Sequence, residues 1–359
     1  MGRALKAIID CNALQWNLRK VRETAPNSKI LAMVKANGYG HGIVNVAKAL
    51  KTANAFGVAC IEEACELRRL GIAARIILME GFFNGKEELQ EIVHLNLEPI
   101  IHHAGQVKAL QQGEGLKSLS VWIKINTGMH RLGFPIEEAT SVWETLSTIP
   151  FIKIEGFLTH FSKADEINDP YTQLQMDRFF QVVKKLPGAK SLANSAAILR
   201  WHTSHADWVR PGIMLYGVSP FRDRCGLEEG LQPVMTLRSE LIAVQSLKKG
   251  EAVGYGGVYV CPTDTRIGIV AAGYGDGYPL LAPAGTPVLL NGKRVPLIGR
   301  VAMDMITVDL STQPEARVGD PVQLWGRDLP VEAVASVIGT TAYALLTGLS
   351  IRVPFEILP

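Results

Sequence analysis

The sequence predicts an α/β chain: a (β/α)8 TIM-like barrel over residues 1–230, followed by a mostly antiparallel β domain over residues 231–359. Two observations lead there. Through the first two-thirds of the chain, short apolar, β-branched runs alternate with amphipathic stretches, the mark of a parallel sheet covered by helices. Near Leu231 this rhythm stops, and Pro and Gly recur every few residues between short alternating runs. A length of 359 residues suits two domains at ~100–200 residues each.

The strand candidates of the first part are residues 7–9, 29–34, 55–59, 75–79, 98–101 and 121–125, then two more near 154–159 and 190–193. Between them, residues 61–70, 86–94, 137–146 and 174–185 carry apolar side chains at three- and four-residue spacing with charges between, as helices on the outside of a sheet do. Eight strands within roughly 190 residues are too many for half of a doubly wound sheet and suit a barrel of ~250 residues. In the second part the strand candidates are 236–244, 265–270, 288–290, 305–310 and 321–324. The first helical pattern of any length there is 331–338.

Composition narrows the function. With 47% hydrophobic and 20% charged residues the chain is average for a globular protein. The 37 basic and 34 acidic residues leave a net charge of +3, too even for a nucleic-acid-binding face. No apolar run reaches the ~18–20 residues of a membrane span, and the N-terminus lacks a secretory pattern, so a cytoplasmic protein without a membrane partner is expected. Five cysteines, odd in number and without a C-x-x-C pair, argue against a disulfide framework or a zinc site, and no metal is expected.

Chemistry is sought at the C-terminal ends of barrel strands. Lys35 follows the strand 29–34 directly, in the run V-K-A-N-G-Y-G-H-G. A lysine leaving a buried strand is partly desolvated, which favours the neutral amine that forms Schiff bases, although a surface lysine at a loop start fits the same position. Gly38, Gly40 and Gly42 permit positive φ and close approach. The pair Asn194–Ser195 follows a strand and opens a helical stretch, which suits a phosphate cradle or an ordinary helix cap.

Taken whole, V-K-A-N-G-Y-G-H-G resembles the pyridoxal-phosphate lysine motif of alanine racemases, and further segments resemble that family along nearly the entire chain. The resemblance implies that Lys35 tethers pyridoxal 5'-phosphate. It implies that Ser195, Gly212 and Ile213 hold the phosphate beside Asn194, with Tyr39 and Tyr343 as phenol donors. In D-W-V-R-P-G-I-M-L-Y-G, Arg210 would face the pyridine nitrogen; a guanidinium donates a hydrogen bond there without protonating the ring, which makes a weaker electron sink. His160 would link Arg210 towards the second base.

Racemisation takes a proton from one face of Cα and returns one to the other, so two bases are natural. The resemblance makes Lys35 one and Tyr255, in V-G-Y-G-G-V-Y, the other. In K-I-N-T-G-M-H-R-L-G it assigns Arg131 to the substrate carboxylate and Lys124 to its support, carbamylated in some relatives. Because Tyr255 lies in the second domain, the resemblance implies a homodimer whose two sites each borrow Tyr255 and the Met303 amide from the other subunit. Asp304 and Tyr274 would support that entrance.

The chain departs from the pattern at Ser191, where some racemases carry a histidine. The implied function is interconversion of L- and D-alanine, for peptidoglycan or for catabolism. A racemase of broader specificity, acting for example on serine, stays open. A non-catalytic cofactor carrier is disfavoured because such proteins lack the second domain, and a decarboxylase because those pair the ring nitrogen with a carboxylate. His41 has no assigned role and is expected to be structural.

Overall fold

The computed structural model describes residues 3–83, 85–113 and 115–359. Its first strand, β1 (Lys6–Asp10), is not a stave of the barrel. This corrects the expectation for residues 7–9, and burial gives the reason. In β1 only alternate residues are buried, as in a half-covered sheet, whereas every residue of β3 and β5 is buried, as parallel barrel strands require. Asp10 then caps the helix Cys11–Thr24 by accepting from the Ala13 amide at 3.0 Å.

The closed parallel barrel runs β2 (Lys29–Met33), β3 (Ala55–Val58), β4 (Arg75–Leu78), β5 (Leu97–Ile101), β6 (Leu119–Lys124), β7 (Ile152–Leu158), β8 (Ala189–Ser191) and β9 (Trp208–Val209). The eighth stave is thus a two-residue strand, too short to register as a periodic pattern, and it closes the ring on β2 through Lys29–Trp208 and Ile30–Val209. Inward-facing Leu31, Met33, Ala55, Ile77, Ile100, Trp122, Leu158 and Trp208 fill the interior. The barrel is therefore a packed core that leaves only its rim for chemistry.

The second sheet contains β10 (Met235–Leu247), β13 (Thr265–Val270), β14 (Pro287–Leu290), β15 (Lys293–Ile298), β16 (Ile306–Asp309), β17 (Pro321–Trp325) and β18 (Phe355–Leu358). Beside it lies the hairpin of β11 (Ala252–Val253) and β12 (Tyr259–Val260). Its order is β13-β16-β15-β14-β17-β10-β1-β18, and β10 also pairs with β13, so the strands from β13 to β10 close on themselves. The length of β10 and a register shift between Leu241 and Ala243 let it serve both neighbours. The helix Ala342–Thr347 brings this half of the chain to the barrel rim: a Cβ on Gly40 would lie 1.9 Å from the Leu346 carbonyl oxygen. No helix among the described residues is long and apolar enough to cross a membrane.

Candidate active site

At the C-terminal ends of the barrel staves lies a cavity of about 580 Å³. Lys35, Tyr39, Lys124, Arg131, His160, Asn194, Ser195, Arg210, Gly212, Ile213 and Tyr343 line it, together with Met33, Met79, Glu80 and Asp165. Eleven positions singled out in the sequence thus converge from five staves and from the helix Ala342–Thr347.

Lys35 enters from β2 and is followed by a turn of the wrong hand. Ala36, Asn37, Gly38 and Tyr39 have φ of 53°, 54°, 63° and 51° with ψ near 45°, which is one turn of left-handed helix. Each of its three non-glycine residues costs about 1–2 kcal/mol relative to the right-handed form, so the surroundings must hold them. Gly38 N–H donates to the Val34 carbonyl at 2.8 Å, Gly42 N–H to the Asn37 carbonyl at 2.9 Å, and the Asn37 side-chain oxygen accepts from Ile43 N–H at 2.9 Å. His41, fully buried, bonds through Nδ1 to the Tyr39 carbonyl at 2.8 Å, which requires Nδ1 to carry the proton. Burial lowers its pKa to about 4, outweighing the Tyr39 and Gly38 carbonyls that favour the cation.

Asn194 caps the helix Ser195–Arg200 by accepting from Ala197 N–H at 3.0 Å, which sets Ser195 at the rim. Ser195 Oγ accepts from Gly212 N–H at 2.9 Å and Met214 N–H at 3.3 Å. Both acceptor positions of the hydroxyl are then used, and its own proton is left to donate. The Gly212 amide, expected to point at a phosphate, is here committed to Ser195. A Cβ on Gly212 would meet Tyr39 Oη at 2.5 Å, so the glycine is what lets the phenol in. Burial raises the Tyr39 pKa to about 12, and desolvation in the cavity raises that of Tyr343 as well, which keeps both as phenol donors.

Arg210 is almost fully buried. Nη1 donates to Ser191 Oγ at 2.8 Å, while Nη2 donates to the carbonyls of Thr159 at 2.5 Å and Leu192 at 3.1 Å and meets His160 Nδ1 at 3.3 Å. Ser191 in turn donates to the Trp208 carbonyl at 3.0 Å. The serine that departs from the family pattern thus completes its own hydrogen bonds and holds the arginine directly. Desolvation lowers the Arg210 pKa to about 10, still a cation at neutral pH. His160 accepts from that cation, and burial with Arg210 and Lys124 nearby pushes its pKa well below the ordinary value, so the imidazole is neutral. Lys124 is buried facing Arg210, Arg131 and Lys35, and desolvation followed by those three charges lowers its pKa to about 8.

Four expected residues lie elsewhere. Tyr255 is 71% exposed, Met303 52% and Tyr274 40%, and none of them, nor Asp304, lines this cavity. The loops of Tyr274 and of Met303 and Asp304 are joined: Asp276, buried, accepts from Arg3, from Gly273 N–H at 2.8 Å and from Arg352 Nε at 2.7 Å, and Arg352 also pairs with Asp304. The sequence reading missed Glu80 and Asp165. Glu80 directly follows the strand predicted at 75–79, so the rule that drew attention to Lys35 applies to it equally. Asp165 sits in the 159–170 connection, which carries no periodic signal.

Comparison with known proteins gives one answer. The family model "Alanine racemase, N-terminal domain" matches residues 9–220, and "Alanine racemase, C-terminal domain" matches residues 234–357. The chain is 50% identical to an alanine racemase of Coxiella burnetii over 99% of both chains, and 49% identical to one of Shewanella baltica over 97% of both. Among solved structures, the biosynthetic alanine racemase from Pseudomonas aeruginosa superposes with a TM-score of 0.96 at 44% identity, covering all of both chains. The alanine racemase from Acinetobacter baumannii does so with 0.92 at 40%, covering 99% of this chain and all of that one.

Proposed function

This chain belongs to the alanine racemase family and interconverts L- and D-alanine, and we propose that it does so with pyridoxal 5'-phosphate tethered to Lys35 and with Tyr255 of a second subunit as the other base. The observation that carries this reading is the donor set of the cavity. Four basic side chains, Lys35, Lys124, Arg131 and Arg210, line it against two acidic ones, Glu80 and Asp165, which favours an anionic ligand. The free Ser195 proton and the Tyr39 and Tyr343 phenols would donate to a phosphate at one wall, where the lack of a side chain on Gly212 admits the Tyr39 phenol.

When bound, the cofactor supplies an electron sink that makes the Cα proton of an amino acid removable. The chain's residues do the rest. Arg210 is held by the protein through Nη1 on Ser191 and Nη2 on the Thr159 and Leu192 carbonyls, and its Nε–H would be free to donate to the ring nitrogen of the cofactor. Neutral His160, its Nδ1 occupied by Arg210, keeps its proton on Nε2. Arg131 binds the substrate carboxylate through a planar fork suited to it. Lys35 and Tyr255 exchange protons at opposite faces of Cα.

Tyr255 and Met303 do not line the cavity of their own chain, and their exposure supports a homodimer in which each subunit completes the other's site. All five cysteines are free, which accords with a cytoplasmic location.

The test is α-hydrogen exchange in D2O. Tyr255→Phe is expected to lose exchange from L-alanine far more than from D-alanine, and Lys35→Ala to lose both exchange and the visible absorption band of the bound cofactor. Equal loss from both enantiomers in Tyr255→Phe would show that the one-base-per-face assignment is wrong. Persistence of the band in Lys35→Ala would remove the lysine tether.

A further inference from the structure

The histidine of the opening motif has no place in the chemistry above, yet it is one of the most completely buried polar side chains of the molecule. It belongs to a row of rings. His41 packs on Tyr216 with centroids 4.7 Å apart, Tyr216 stacks on Tyr39 at 4.7 Å, and Tyr39 leans on Tyr343 at 6.1 Å. The row runs from the core to the cavity wall. Both inner members hold backbone beside Lys35: Tyr216 Oη donates to the Met33 carbonyl at 2.9 Å, two residues before the lysine, and His41 Nδ1–H donates to the Tyr39 carbonyl, four residues after it.

We propose that His41 is a positioning residue for Lys35 and Tyr39: its Nδ1–H bond and its ring against Tyr216 hold the left-handed turn Ala36–Tyr39 in the form that aims the lysine into the cavity and sets the phenol against Gly212. A left-handed turn relaxes unless its surroundings over-determine it. The other bonds within the turn tie Asn37 and Gly38; the His41 bond is the one that fixes the carbonyl of Tyr39 itself. Relaxation at that peptide rotates the phenol off Gly212, a seat so close that a Cβ added to the glycine would lie 2.5 Å from Tyr39 Oη. Histidine suits the role because a ring is needed for the stack and a donor for the carbonyl, and its burial keeps it neutral. Phenylalanine supplies only the first, asparagine only the second.

This inference rests on the reading that the cavity holds pyridoxal phosphate. The experiment titrates apoprotein with pyridoxal phosphate and records the phosphorus NMR signal of the bound phosphate and kcat/KM for wild type, His41→Phe and His41→Asn. His41→Phe is expected to weaken cofactor binding roughly tenfold, the worth of one lost buried hydrogen bond, to shift the phosphate resonance and to lower kcat/KM. His41→Asn, which restores a donor, is expected to recover part of all three. A folded His41→Phe protein with wild-type binding, resonance and kcat/KM overturns the positioning role alone. Wild-type apoprotein that fails to bind the cofactor overturns the cofactor reading and this inference with it. If His41→Phe does not fold, Tyr216→Phe, which removes only the hydroxyl on Met33, decides by the same three measurements.

Discussion

Lys124 shows how much of a residue's chemistry is supplied by distant parts of the chain. Its sequence context is a lysine at the end of an apolar strand, and nothing local announces Arg210 from β9's end or Arg131 from the following loop. Together with desolvation they lower its pKa to about 8. A carbamate forms from the neutral amine, and the neutral fraction rises as pH increases through that value. Carbon-NMR on protein equilibrated with isotopically labelled bicarbonate is therefore expected to show a carbamate signal that grows through pH 8 and is missing from Lys124→Ala. Its absence throughout that range would leave Lys124 as an ammonium or free amine, with Arg131 oriented by other means. At the same scale, Lys35, Arg210 and Ser195 were legible because each sits in a recognisable string, whereas the neutral state of His160 and the burial of His41 were not, since both are set by what packs against them.

Among elements, β1 is the instructive case. Three apolar residues before a helix read like the first βα unit, but β1 pairs antiparallel with β10 and parallel with β18, so the N-terminal strand is part of the second sheet. The loops 273–277 and 302–305 depend on the same junction: Arg3, just before β1, and Arg352, just before β18, converge on Asp276, and Arg3 Nη2 also bonds the Asp304 carbonyl at 2.5 Å. Asp276→Asn is expected to cost about 2–4 kcal/mol, at or below what a fully buried pair loses, because the arginines are 30% and 40% exposed. A lowered midpoint in thermal unfolding, with faster proteolysis after residue 300, checks it; an unchanged midpoint would mean that the backbone bonds from Tyr274 and Gly275 to Ala302 and Met303 hold the loops unaided.

For the whole molecule, the proposed division of labour between barrel and second domain has a direct consequence. If each site takes Lys35 from one subunit and Tyr255 from the other, mixing Lys35→Ala with Tyr255→Phe protein and allowing subunits to exchange is expected to regain activity that neither variant has alone. Recovery requires heterodimers, in which one of the two sites holds both wild-type bases. No recovery after demonstrated exchange would place both bases in one chain. The sequence by itself determined the alternation that makes a parallel barrel, the end of that alternation near residue 231, and the strings that carry Lys35, Arg131, Arg210 and Tyr255. It did so because periodicity records which side of each segment is buried and because a motif records residue types in fixed order. Only the tertiary structure decided that β1 crosses to the other sheet, that a two-residue strand closes the barrel, that the turn after Lys35 is left-handed, and that Glu80 lines the cavity while Tyr255 does not. Those outcomes depend on which surfaces meet, and burial patterns along a chain do not name their partners.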